Sequence, residues 1–212
     1  MNENDLPKKI AVFPLSNAIF FPGTILPLNI FEDRYIKLVN DCMESNKMFG
    51  MIQPKKKIGK LTEVYNIGCL GKIVNFDETT DNRFIISLSG LVRFRIKNEF
   101  QDQKSYRNFE VDYSEFLTDL AQKKINITDY NKKNLLNKIK TFFKKIDYPV
   151  NYNELLKLNS DQLVNTVTMI SPFSVEEKQK LIETIEVEDK IKTLDEILSF
   201  NLADFQENKT VQ

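Results

Sequence analysis

From Ile10 to Phe31 the chain runs 22 residues, IAVFPLSNAIFFPGTILPLNIF, without a charge, although it is 28% charged overall. Roughly 20 apolar residues can cross a bilayer as a helix. Here Pro14, Pro22 and Pro27 each remove a backbone donor, and Gly23 with scattered Ser, Asn and Thr breaks the run, so the composition argues against a span. The stretch parses as strand Ile10–Phe13, turn Pro14–Asn17, strand Ala18–Phe21, turn Pro22-Gly23 and strand Ile25–Leu28, the wall of a buried core. Next, Tyr35, Leu38, Val39, Cys42 and Met43 recur at helical spacing, with Arg34, Lys37, Asp41 and Glu44 among the polar positions. Period two then returns. Val92, Phe94 and Ile96 alternate with Arg93, Arg95 and Lys97, and Phe109, Val111 and Tyr113 with Glu110 and Asp112, which predicts half-buried antiparallel strands. The all-polar DETTDN, Asp77–Asn82, reads as a hairpin loop, and Gly90 as a bulge or sharp bend.

Beyond about residue 120 the period becomes helical. Leu135, Leu136, Ile139, Phe142, Phe143 and Ile146 form one stripe that stops before Pro149, with Thr128 or Asp129 as its cap. Ser160 is the predicted cap of a helix carrying Leu163, Val164, Val167 and Ile170, ended by Pro172. Ser174 and Glu177 have the spacing in which each side chain meets the other's free N–H. Helices with Leu181, Ile182 and Ile185, and with Ile191, Leu194, Ile197 and Leu198, follow. All six glycines lie within the first 90 residues. The pattern predicts an α+β chain: a β-rich part with one amphipathic helix over 1–118, a helical bundle over 119–205, and a polar tail over 206–212.

A chain of 212 residues can bury roughly 70% of its unfolded surface. Thirty basic and thirty acidic residues cancel, which removes the simplest electrostatic case for a nucleic-acid or membrane partner. The mixed-charge start, MNENDLPKK, has no basic segment leading into an apolar one, and a cytoplasmic location is expected. Cys42 and Cys69 match no redox or zinc spacing and read as free, buried thiols. With no histidine in the chain, histidine-dependent nucleophile systems and the HExxH zinc site are absent. The GK pairs at Gly59-Lys60 and Gly71-Lys72 are followed by Leu61 and Ile73, where a phosphate loop needs Ser or Thr. No cofactor or metal is expected. Gly68-Cys69-Leu70-Gly71 has the letters of an RNA-clamping GxxG, but it precedes a strand-like KIVNF run and reads as a turn or close packing. Pro54-Lys55-Lys56-Lys57 reads as a basic loop. Residues 120–150 are lysine-rich and 151–212 acidic, a pattern expected of helix faces that attract one another.

The motif PLNIFEDRY, Pro27–Tyr35, with the preceding FPLSNAIFFPG, resembles the N-terminal substrate-binding domain of the Lon ATP-dependent proteases, and small stand-alone proteins of that domain above all. FGMIQP (Phe49–Pro54), GCLGKIVNF (Gly68–Phe76), RFIISLSGLVRFRI (Arg83–Ile96) and LVNTVTMISPFSVEEKQKLIE (Leu163–Glu183) extend the likeness over essentially the whole chain. The resemblance implies a PUA-like antiparallel β pseudo-barrel followed by a helical bundle. It also implies a module that binds unfolded or exposed hydrophobic polypeptide, without the ATPase and Ser-Lys peptidase domains of Lon. Asp33 stands where relatives often carry proline, a substitution favourable at a helix N-terminus.

Pro22, Gly23 and Pro27 are expected to set turns, Leu28, Ile30 and Phe31 to fill the core with Tyr35, and Glu32 and Arg34 to pair at the helix entrance. Phe20 and Phe21, beside a turn, are the residues expected to meet polypeptide. A non-catalytic binder feeding a protease or chaperone is the first functional reading. An RNA-binding PUA-like protein using residues 120–150 is the alternative, and an enzyme built only on carboxylates, lysines or tyrosines the third. The binder reading predicts an exposed apolar patch or an open sheet edge.

Overall fold

The computed structural model describes residues 3–16, 18–58, 61–121 and 129–207. The chain divides into two compact units, Met1–Lys123 and Lys124–Gln212. The first contains eight strands and one α-helix among the described residues: β1 (Lys9–Pro14), β2 (Ile25–Ile30), α1 (Asp33–Met43), β3 (Met48–Ile52), β4 (Pro54–Ile58), β5 (Leu61–Val64), β6 (Ile67–Glu78), β7 (Phe84–Phe100) and β8 (Arg107–Asp112). The main sheet has the order β2-β7-β6-β3-β1-β8, and β8 pairs again with β7. The pairings therefore close on themselves as a five-stranded barrel, with β2 attached at the side.

The 17 residues of β7 make this closure feasible. Residues 84–95 pair with β6, and 95–100 pair with β8. Such a long strand must bend, and it does so at a register shift between Leu70 and Gly71 opposite Val92 and Gly90, the bulge predicted at Gly90. A Cβ on Gly90 would overlap the Phe21 carbonyl oxygen. Only glycine lets the segment before β2 approach that closely. Gly68 plays the same role against the Met51 carbonyl oxygen, which supports the close-packing reading of the GxxG letters. Across the barrel, Val12, Phe49, Cys69, Leu70, Leu88, Val92 and Phe94 are fully buried.

Several sequence expectations need correction. The sheet is not wholly antiparallel, because β1 and β3 pair parallel. A parallel neighbour requires a crossover, and the β2–α1 segment supplies it. Ala18–Phe21 forms no strand. Its phenylalanines are buried from a loop whose Phe21 carbonyl accepts the Thr24 hydroxyl at 2.6 Å. Pro27 lies inside β2 rather than at a turn; an edge strand is where a sheet tolerates a residue without an N–H. Pro22 and Gly23 do turn, Gly23 with φ +72. The basic Pro54–Lys57 run is a strand, β4, paired with β5.

Arg93 departs furthest from the alternation that placed it outward, its side chain being 2% exposed. A 3₁₀ segment, Ser114–Ala121, packs over β7 there. Asp119 takes the Arg93 Nε at 2.9 Å, Nη2 at 2.8 Å and backbone N–H at 3.0 Å. The Phe116 ring lies 4.6 Å from the guanidinium. The boundary expected at residues 118/119 thus falls inside a segment that packs on β7 of the first unit.

The second unit contains α2 (Asp129–Lys145), α3 (Tyr152–Lys157), α4 (Ser160–Ile170), α5 (Val175–Glu183) and α6 (Val187–Glu207). Helices α2, α4 and α5 pack on α6, with Ile139, Phe142, Phe143, Leu163, Val164, Leu194 and Leu198 in the core. The cap of α4 is Asn159, whose carboxamide and Gln162 satisfy each other's N–H; Ser160 is the first helical residue. Ser174 and Glu177 form the predicted reciprocal cap. The short helix α3, capped by Asn151, was missed because six residues carry too little periodicity to register. Residues 206 and 207, placed in the polar tail, are helical. Asn17, Lys60, Lys123, Lys124, Thr128 and residues 208–212 lie outside the described residues.

Candidate functional site

The sequence ILPLNIF has a period of two within an uncharged run. In β2 that period sends Leu28 and Ile30 inward and leaves Ile25, Pro27 and Asn29 exposed. Phe31, expected in the core, continues the outward row and is 61% exposed. Its ring lies 5.8 Å from the Arg83 guanidinium. Register carries the same face across the neighbouring strands. Asn29 stands opposite Ile85 in β7, and Ile85 opposite Asp77 in β6. Ile85 is 41% exposed and Ile25 is 55% exposed. In β6 the register shift between Ile73 and Asn75 leaves Val74 out of the ladder, and it is 51% exposed. Four sizeable apolar side chains thus lie on the outer face of β2, β7 and β6, where water ordinarily selects polar groups. This face has Ser87 and Ser89 between them in β7.

The remaining sequence-predicted residues divide into two groups. Phe20 and Phe21 are 2% and 0% exposed, so the fold withdraws them from the surface and presents Ile25 and Phe31 in their place. Pro22 and Leu28 are buried, Gly23 forms the turn, and Tyr35 stacks on Phe13 with centroids 4.0 Å apart. Glu32 and Arg34 do pair, Arg34 Nε donating to Glu32 Oε2 at 2.9 Å, with the guanidinium 4.5 Å from the Tyr35 ring.

Glu32, Arg34 and Tyr35 also line a groove of about 460 Å³ with Phe13, Tyr106 and Arg107. Its charges are already committed. Arg107 holds Glu99 through Nε at 2.7 Å and Nη2 at 2.8 Å, and donates to the Thr62 carbonyl through Nη1. Tyr106 donates its hydroxyl to Asp41, which also accepts Lys104. Those two hydrogen bonds, Lys104's first, hold the Asp41 carboxyl below its usual range, while burial and then Asp41 push the Tyr106 hydroxyl up. No group of three His, Cys, Asp or Glu that could hold a metal occurs among the described residues. Both cysteines are free and buried. Burial pushes the Cys42 thiol up to about 12 and the Cys69 thiol well above its ordinary value, so neither is poised as a nucleophile.

Three lysines of the lysine-rich helix α2 are held within its own unit. Lys138 reaches Asp195 and Ser199 of α6, Lys145 the Leu202 carbonyl, and Lys132 the Leu158 carbonyl. No helix among the described residues is long and apolar enough to cross a membrane.

The sequence missed Ile25, Val74, Ile85, Tyr106 and Arg107. The first three carried a usable signal, since inward neighbours with outward apolar residues in period two predict an apolar outer face. The other two are joined to α1 and β5 only by the fold.

Comparison with known proteins places this geometry in a family. The profile described as the ATP-dependent protease La (LON) substrate-binding domain matches residues 9–199. Lon protease 2 of Myxococcus xanthus is 24% identical over 204 residues, covering 94% of this chain and 24% of that protein. Lon protease of Dictyoglomus thermophilum is 26% identical over 192 residues, covering 89% and 24%. The chain therefore spans about a quarter of the length of these curated relatives. The crystal structure of a Lon N-terminal domain protein from Xanthomonas campestris shares the fold with a TM-score of 0.64 at 20% identity, over 88% of this chain and 96% of that one. The N-terminal domain of a Mycobacterium avium complex Lon protease superposes with a TM-score of 0.63 at 16% identity, over 91% and 98%. The chain belongs to the ATP-dependent protease La (LON) substrate-binding domain family.

Proposed function

We propose that the first unit is a non-catalytic module that holds unfolded or exposed hydrophobic polypeptide against the outer face of β2, β7 and β6, and that it presents such segments to a protease or chaperone. The observation that carries this reading is the set of exposed apolar side chains Ile25, Phe31, Val74 and Ile85 on one side of the sheet. Burying them against a client removes apolar surface from water at about 25 cal/mol per Å². Family membership supplies the direction: the matching profile is that of a substrate-binding domain. The groove beside α1 supports the reading less, because its guanidinium groups are paired.

The test is fluorescence anisotropy of a labelled, reduced and carboxymethylated lysozyme titrated with the full chain. Saturable binding that Ile85→Ser weakens about tenfold or more supports the assignment. Binding that ignores Ile25, Phe31 and Ile85 alike refutes it. Native lysozyme is the control, and equal affinity for it also counts against a preference for exposed segments.

A further inference from the structure

The Thr24 carbonyl accepts the Gly90 N–H at 2.9 Å, and Ile25–Ile30 then run antiparallel to β7 in register. Backbone groups in a strand alternate sides. Those of Leu26, Leu28 and Ile30 therefore turn toward β7, and those of Ile25, Pro27 and Asn29 turn away from it. Pro27 fits this assignment because it has no N–H to give the ladder. Among the described residues β2 pairs with β7 and with no second strand, and Ile25, Pro27 and Asn29 are all exposed. The open edge thus offers three acceptors, the carbonyls of Ile25, Pro27 and Asn29, and two donors, the N–H groups of Ile25 and Asn29.

Proteins usually blunt such an edge with lysines, other charges or proline, and here Pro27 removes one donor from it. From Gly23 to Phe31 this one has no charged side chain, and at its end Glu32 and Arg34 neutralise each other at 2.8 Å. We propose that an extended client segment adds to this edge as a further strand, hydrogen-bonded to the outward groups of Ile25, Pro27 and Asn29, with apolar alternate side chains resting beside Ile25 and Phe31. This deepens, and rests on, the reading of the outer face as a polypeptide-binding surface. Charge complementarity selects an uncharged segment, since an ion facing this edge would lose hydration without gaining a partner. It also favours a client over a second copy of the chain. A two-fold β2–β2 pairing centred on Pro27 sets one proline ring, without a donor, against the other's carbonyl. In the client complex, by contrast, the residue facing Pro27 donates its own N–H and loses one bond only.

The experiment uses the full chain and a labelled, end-capped heptapeptide, Val-Thr-Ile-Thr-Val-Thr-Ile, read by anisotropy. Two further peptides carry N-methyl groups on the odd or on the even residues. Strand addition requires that one of these sets lose binding by about tenfold or more, while the other binds as the parent does. Pro27→Ala restores a donor to the edge and is expected to tighten binding up to about fivefold, the worth of one neutral hydrogen bond. Equal binding of both methylated peptides, with Ile85→Ser still weakening the parent, overturns strand addition and leaves the outer-face reading intact. Absence of binding to the parent and to carboxymethylated lysozyme defeats both. Concentration-dependent dimerisation that competes with the peptide assigns the edge to a second copy and overturns the client proposal.

Discussion

Replacing Asp119 by alanine tests whether the 3₁₀ segment is part of the barrel wall. Asp119 is the acceptor for three Arg93 donors, and the two side chains are 10% and 2% exposed. Truncating it takes three hydrogen bonds from a guanidinium and a backbone N–H where water has little access. Removing one partner of a buried ion pair costs about 3–5 kcal/mol, a large share of the roughly 5–15 kcal/mol that holds a typical domain. Replacing both groups by apolar ones, Arg93→Met with Asp119→Leu, removes the buried charge and leaves only the residue-93 backbone N–H to lose the Asp119 acceptor, so it is expected to cost less than Asp119→Ala alone. Urea unfolding followed by far-UV circular dichroism reads the stability, since the chain has no tryptophan. Reactivity of the buried Cys69 thiol, which feels the Asp119 charge, reads opening of this wall. A cost below about 1 kcal/mol for Asp119→Ala, or a double variant as unstable as the single one, would show that the clasp does not support the barrel.

Gly90→Ala is expected to destabilise by more than about 3 kcal/mol in the same assay, because the new Cβ meets a backbone oxygen rather than a movable side chain. Asn159→Ala should cost about 1 kcal/mol by uncapping α4, a loss that thermal unfolding resolves. Hydrogen bonds from Lys104 to Asp41, from Lys97 to Asp112 and from Arg95 to Glu115 hold these carboxyls below their ordinary range. The folded chain therefore takes up their protons less readily than the unfolded chain. Their contribution is complete above the unfolded carboxylate values, about 4, and is lost as pH falls through the folded ones. The urea midpoint should be level between about pH 7 and 5 and fall below about pH 4, and a midpoint that rises on acidification contradicts the assignment.

The sequence was most legible where one period governed a whole element. The stripe from Tyr35 to Cys42, the 3.6 period of α2 and the Ser174 box all describe local geometry, and they appear as read. Legibility failed where distant chain decides which side is inside. Arg93 occupies a position that alternation sends outward, and it is buried because residues about 20–30 positions later fold over it. Phe31 and Phe21 show the converse. Both belong to one uncharged stretch, yet Phe21 is buried from a loop fixed by Gly90 while Phe31 follows the outward row of β2. Apolar character was a good guide to the stretch as a whole and a poor one to its single residues. The outer face of β2 and β7 was half-written in the sequence as period two, and register with Ile85 supplied the other half. Tyr106 and Arg107 could not have been joined to Tyr35 without the closed sheet.

The most direct measurement is the affinity of the full chain for reduced and carboxymethylated lysozyme, compared between the unaltered protein and a Phe31→Ser, Ile85→Ser variant. Both side chains are exposed, so the unfolding midpoint should not move. Binding weakened by tenfold or more at unchanged stability is the result expected of a client-holding outer face, and undiminished binding by the variant would contradict it.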